Sequence, residues 1–77
     1  MKVTVAAFGA MRQYVADGSG RADLDLPSGS SVGDAVDALG APRRLVFVVL
    51  VDGSQATLEH GLHEGAEVTL MPPFAGG

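Results

Sequence analysis

Residues 45 to 51, LVFVVLV, form an unbroken apolar run in which four of seven positions are valine. The run is too short for a long helix and rich in β-branched side chains. It therefore predicts a strand, and its lack of polar alternation predicts a central strand covered on both faces. The rest of the chain must then supply the covering layers. Asp52-Gly53 follows directly and is a strong turn signal.

Flanking segments alternate. Val3, Val5 and Ala7 alternate with Lys2, Thr4 and Ala6, predicting a first strand that runs to about Phe8. In GAMRQYVADG, Met11, Tyr14 and Val15 fall at helical spacing and Gly18 supplies a stop, so a short helix or turn follows. RADLDL places Ala22, Leu24 and Leu26 on one face and Asp23 and Asp25 on the other, a second strand ended by Pro27. SSVGDAVDALGAP is the clearest helix. Ser31 caps it with Asp34 three residues on, Val32, Ala35, Val36 and Leu39 share a face, and Gly40 and Pro42 end it. Its small residues suggest close packing against a sheet. A short strand or turn around Thr57 and Leu58, a Glu64-Gly65 turn and a last strand over residues 67 to 71 complete the order. This pattern predicts an α+β fold: a mixed four- to five-stranded sheet with a helix packed on one face. Residues 1–71 form the domain and 72–77 an extended, flexible tail.

At 77 residues the chain is one small domain, with little spare structure for a deep active site. No apolar run approaches the ~20 residues that span a bilayer, and the N-terminus lacks a signal peptide's continuous apolar core. The expectation is a soluble, cytoplasmic protein with no membrane partner. Net charge is −4, and the five basic residues, Lys2, Arg12, Arg21, Arg43 and Arg44, are scattered along the sequence, which argues against nucleic acid as a partner. There is no cysteine, so thiol nucleophiles, disulfides and thiolate metal sites are excluded.

Interior candidates for chemistry are weak. Glu59, His60, His63 and Glu64 crowd together, but Gly61 and Gly65 break any helix that would align them, and no metal site is expected. The DGSGR and PSGSS stretches do not fit a phosphate loop and read as turns. Ser28, Ser30 and Ser31 have no histidine nearby in sequence, and Asp34 and Asp37 belong on the solvated flank of the helix.

The ending MPPFAGG is more informative. Proline cannot donate a ladder hydrogen bond, so Pro72-Pro73 stops the last strand and directs the chain outward. Glycine lacks a Cβ, so Gly76-Gly77 could thread a channel too narrow for side chains. Five or six extended residues reach ~17–21 Å, enough to enter a partner's buried site. The prolines reduce the entropy lost on ordering, and Phe74 offers an apolar anchor. The competing reading is a frayed end without function.

Together these segments resemble the MoaD/ThiS family of ubiquitin-like sulfur carriers, most closely the small subunits of molybdopterin synthase. The resemblance spans nearly the whole chain: AFGAMRQ at residues 7 to 13, LPSGSSVGDAVDAL, VLVDG and LHEGAEVTLMPPFAGG. It implies a β-grasp fold. It also implies that a ubiquitin-activating-type (MoeB-like) adenylyltransferase uses ATP to adenylate the Gly77 carboxylate, and that a sulfurtransferase converts it to a thiocarboxylate. Pro72, Pro73, Phe74, Ala75, Gly76 and Gly77 would then enter a MoaE-like large synthase subunit, which supplies the catalytic groups. Phe8, Arg12 and Met71 match partner-facing positions of the family. The chain would bind no cofactor and be a carrier rather than an enzyme. Alternatives are a carrier for thiamine thiazole, cysteine or a secondary metabolite, a ubiquitin-like modifier joined to lysines through Gly77, and a small binding module.

Overall fold

Alternating burial builds each strand. The computed structural model of the chain describes residues 1–15 and 19–72. Its strands are β1 (Lys2–Ala7), β2 (Arg21–Asp25), β3 (Val48–Val51), β4 (Ser54–Ala56) and β5 (Glu67–Met71). One α-helix, α1 (Val32–Leu39), and two 3-10 segments, Gly9–Tyr14 and Arg43–Leu45, complete it. The sheet order is β2-β1-β5-β3-β4. Two antiparallel hairpins, β1 with β2 and β3 with β4, are joined by β5, which runs parallel to β1 and antiparallel to β3. This is the mixed sheet with a single covering helix that the sequence predicts.

The predicted helix signals all operate. The Ser31 hydroxyl accepts from the Asp34 N–H at 3.2 Å, and the Asp34 carboxylate accepts from the Ser31 N–H at 2.8 Å. Gly40 closes the helix in the left-handed region at φ 80°. Val32, Ala35 and Val36 are fully buried and meet Val5, Val68 and Leu70 in one core cluster. The first free N–H groups of α1 also find partners. Val32 donates to the His60 carbonyl at 3.0 Å and Gly33 to that of Leu58 at 2.8 Å, so the segment after β4 closes the helix start. That is why β4 ends at Ala56 instead of continuing through Thr57 and Leu58.

The apolar run departs from expectation in two ways. Its first residues turn: Leu45 donates to the Pro42 carbonyl and Val46 to that of Arg43, each at 3.1 Å, so the strand begins only at Val48. It is also covered on one face alone. Val49 and Val51 are buried, Val48 and Leu50 are half-buried, and Phe47 is 72% exposed. One eight-residue helix can roof only one side of a five-stranded sheet. The central strand is β5, between β1 and β3.

The end of the sheet away from Met71 is held by a polar knot. Asp52 and Gly53 both have positive φ, 51° and 85°, as a two-residue hairpin of type I′ demands. The Asp52 carboxylate accepts the Glu67 N–H at 2.9 Å and lies 2.6 Å from His63 Nε2. His63 Nδ1 is 2.9 Å from the Glu64 carbonyl. Both ring nitrogens thus face acceptors, which favours the imidazolium. Hydrogen bonding to Asp52 raises the His63 pKa above its ordinary value, and the bonds from Glu67 and His63 lower that of Asp52.

Candidate functional site

Topology sends β1 and β5 toward the same end of the sheet, where the two 3-10 segments and the starts of β2 and β3 also lie, around the exit at Pro72. Beyond Met71 the described chain ends at Pro72. Pro72 lies against Gly9: a Cβ built on Gly9, whose φ is +57°, would stand 3.1 Å from Pro72 Cγ. The exit is framed by neighbouring strands. On one side Phe8 donates its N–H to the Leu70 carbonyl at 3.1 Å, and on the other Phe47 donates to that of Met71 at 2.9 Å. These two are the exposed large hydrophobic residues among those described, at 53% and 72%. Burying either would remove a full aromatic surface from water.

The sheet face opposite α1 continues this apolar surface. The strand register sets Val48 opposite Met71 and Leu50 opposite Thr69, with Ala6 beside Thr69. All five are half-buried, so this face carries apolar side chains without a covering layer. Such patches mark interaction surfaces more often than accidents.

The predicted interface residues Phe8, Arg12 and Met71 all lie at this end. Arg12 follows β1 in the 3-10 segment, and its Nε and Cγ lie 3.2 and 3.6 Å from a Cβ position on Gly20. Phe47, Val48 and Leu50 were not singled out by motif. Their signal was present in the sequence as an apolar run with only one helix available to cover it. Pro73, Phe74, Ala75, Gly76 and Gly77 lie outside the described residues, as does Gly18, the predicted stop.

Histidines and acids sit elsewhere. Among the described residues no group of three or more His, Cys, Asp or Glu side chains gathers as a metal site would require. His63 instead engages Asp52, a residue outside the cluster considered from sequence. Asp34 is used in capping, and Asp37 takes a bidentate contact from Arg43, Nε to Oδ1 at 3.0 Å and Nη2 to Oδ2 at 2.8 Å. That contact raises the Arg43 pKa and lowers that of Asp37. No described helix is long and apolar enough to cross a membrane.

Residues 5–77 match the model of the ThiS family. The chain belongs to the ThiS family. No curated protein matches it significantly in sequence. The crystal structure of SAMP1 from Haloferax volcanii shares 28% identity and a TM-score of 0.80, with 100% of both chains covered. A crystal structure of H. volcanii small archaeal modifier protein 1 also shares 28% identity, with a TM-score of 0.76, covering 94% of this chain and 97% of that one. Subunit 1 or 2 in a complex of molybdopterin-converting factor from Helicobacter pylori 26695 is similar over 100% of both chains at 19% identity and a TM-score of 0.63, which shows a common fold. This ThiS-family protein therefore has the β-grasp fold of small MoaD/ThiS-type sulfur carriers and ubiquitin-like modifiers.

Proposed function

We propose that this protein is a sulfur carrier whose working group is the Gly77 carboxylate. The observation that carries the reading is the exit: β5 delivers Pro72 between Phe8 and Phe47, at the end of an apolar face without a covering layer. A partner gripping that face meets the chain at Pro72, which packs on Gly9. Gly77 then attacks the α-phosphorus of ATP on a MoeB-like adenylyltransferase, releasing pyrophosphate. Sulfur delivered by a sulfurtransferase at the hydrosulfide level displaces AMP and leaves the thiocarboxylate. Molybdopterin synthesis is the favoured destination, with Pro72 to Gly77 entering a MoaE-like large subunit. The Pro-Pro ending supports this, as does the fold shared with the two-subunit complex of H. pylori. Neither step needs a cofactor bound to this chain.

A second reading is a protein modifier, favoured by the 28% identity to small archaeal modifier protein 1. Both begin with the same adenylate. They separate when the chain is incubated with the adenylyltransferase, ATP and a sulfur donor, then with cell extract. Replacement of one oxygen by sulfur at Gly77, seen by intact mass, is the expected result. Lysine-linked adducts without that exchange favour the modifier, and an unchanged mass refutes both.

A further inference from the structure

The strong nucleophiles of the chain and the exit at Pro72 lie at opposite ends of the sheet. The sequence holds one lysine, Lys2, two histidines, His60 and His63, and no cysteine, so residues 16–18 and 73–77 contain none of these. Lys2 is exposed at the start of β1, where its backbone N–H donates to Glu64 Oε1 at 3.1 Å. The Met1 amine, at the same end, donates to the Leu26 carbonyl at 2.6 Å. His63 stands in the polar knot there, with both ring nitrogens engaged. His60 lies in the segment that closes the start of α1, which follows the far end of β2. In the register of β1 against β5, Thr4 is level with Glu67. Lys2 is two residue steps before that level and Met71 four beyond it, so ~20 Å separates them at ~3.3 Å per residue.

The exit end carries its positive charge on arginine. Arg21 opens β2 opposite Ala6, which neighbours Thr69, so it stands two strand spacings from β5, about 10 Å. Arg44 lies three residues before Phe47, whose N–H reaches the Met71 carbonyl. Arg12 sits in the 3-10 segment after β1, and Arg43 turns back onto α1 to engage Asp37. Their shared property is chemical. A guanidinium stays protonated at physiological pH, whereas a lysine amine sheds its proton readily enough to act as a nucleophile. Hydroxyls at that end, such as those of Tyr14 and Ser19, are weak nucleophiles at neutral pH.

An acyl-adenylate reacts with any amine in reach. On the carrier reading above, on which this inference rests, a lysine near the exit would attack the Gly77 acyl carbon. An amide C–N bond would form, the acyl C–O bond to AMP would break, the ammonium proton would pass to solvent, and the terminus would be lost in a ring. Six residues lead from Met71 to Gly77 and cover at most ~20–22 Å when fully extended. Gly77 thus reaches the basic positions of the exit end from many conformations. It reaches the level of Lys2 only when every residue is stretched back along the sheet, an arrangement that conformational entropy opposes. We propose that arginine at Arg12, Arg21, Arg43 and Arg44, with the one lysine set at the far end, determines which nucleophile the activated Gly77 meets: sulfur brought by a donor, and not an amine of its own chain.

The test uses the full-length chain prepared with Gly77 as an aryl thioester, held dilute at about pH 9, where free amine is more abundant, and followed by intact mass. The thioester stands in for the adenylate, so no partner protein enters the measurement. The wild-type chain should hydrolyse to the free acid. Arg21→Lys and Arg44→Lys should each form a ring, lighter than the acid by one water, in a fraction at least about fivefold above wild type. Asp25→Lys adds an amine beside Lys2 and should stay at the wild-type level. Peptide mapping assigns the Gly77–lysine bond, and melting temperatures confirm that the variants fold. The proposal is overturned if the wild-type chain cyclises through Lys2 as fast as the variants, if Asp25→Lys matches them, or if neither arginine variant exceeds wild type. ATP–pyrophosphate exchange by the wild-type chain on a MoeB-like adenylyltransferase reads the carrier step separately. No exchange refutes the carrier reading and leaves the thioester comparison standing, whereas exchange with equal cyclisation of all chains sinks this inference alone.

Discussion

Adjacent residues on β5 separate the two jobs of the sheet, and replacing each by alanine tests the division. Leu70 is fully buried against α1, whereas Met71 is half-buried on the opposite face. A buried Leu→Ala change costs about 2–5 kcal/mol, because transfer energy is lost and a cavity remains. A chain of 77 residues has a total stability of roughly 4–11 kcal/mol. Leu70→Ala should thus remove much of it and lower Tm by roughly 8–40 °C, at ~4–8 °C per kcal/mol for a domain of this size. Met71→Ala opens no hole in the core. Half of a methionine's burial energy is about 1 kcal/mol, a Tm loss of roughly 4–8 °C. Its effect should appear instead in binding to the adenylyltransferase, as a tenfold or larger loss of affinity by calorimetry, typical of an anchor residue. Thermal denaturation followed by circular dichroism gives the first number. The reasoning is refuted if Met71→Ala melts as low as Leu70→Ala, since the open face would then be structural, or if its affinity equals that of the wild type.

Two further outcomes follow from described contacts. Gly9→Ala should cost about 1–2 kcal/mol for left-handed backbone and also displace Pro72, slowing adenylation; Gly29→Ala, at φ +87° with nothing within 4 Å, should share the stability cost but not the slower transfer. The Asp52–His63 contact should make stability pH-dependent in both directions. The raised His63 pKa gives stabilisation that is full below its ordinary 6.5 and lost as pH rises through the folded-state value above it. The lowered Asp52 pKa gives stabilisation that is full above its ordinary 3.8 and lost as pH falls through the folded-state value below it. Urea titrations should therefore show the contribution of this pair largest between those two ordinary values, with the alkaline loss absent in His63→Gln.

Local signals were legible where neighbours in sequence suffice. Ser31, Asp34 and Gly40 mark the ends of α1 because capping is decided within four residues, and Pro72 marks the end of β5 because it lacks an N–H. The strand over residues 45 to 51 was harder. Continuous apolarity is shared by strands covered on both faces and by strands covered on one face and presented to a partner. The number of helices distinguishes them, and this chain has one α-helix among its described residues. Phe47, Val48 and Leu50 are therefore better understood from the whole inventory than from their own segment. The arginines show the same limit more sharply. Arg12 and Arg21 lie nine positions apart in sequence, and only the antiparallel return of β2 beside β1 puts both on the wall of one cleft. The link from Asp52 to His63 and Glu67 also depends on the return of β5, which no local pattern near Asp52 announces.

The position of β5 carries a consequence for quality control. It zips two hairpins into one sheet and also leads directly into Pro72. A molecule whose core has opened loses, in the same event, the pairing of Met71 with Val48 and the ladder bonds that set Phe8 and Phe47 beside it. On the carrier reading proposed above, damaged copies would then be silent rather than faulty: they would keep the glycine end but lose the surface that presents it, and would draw no ATP.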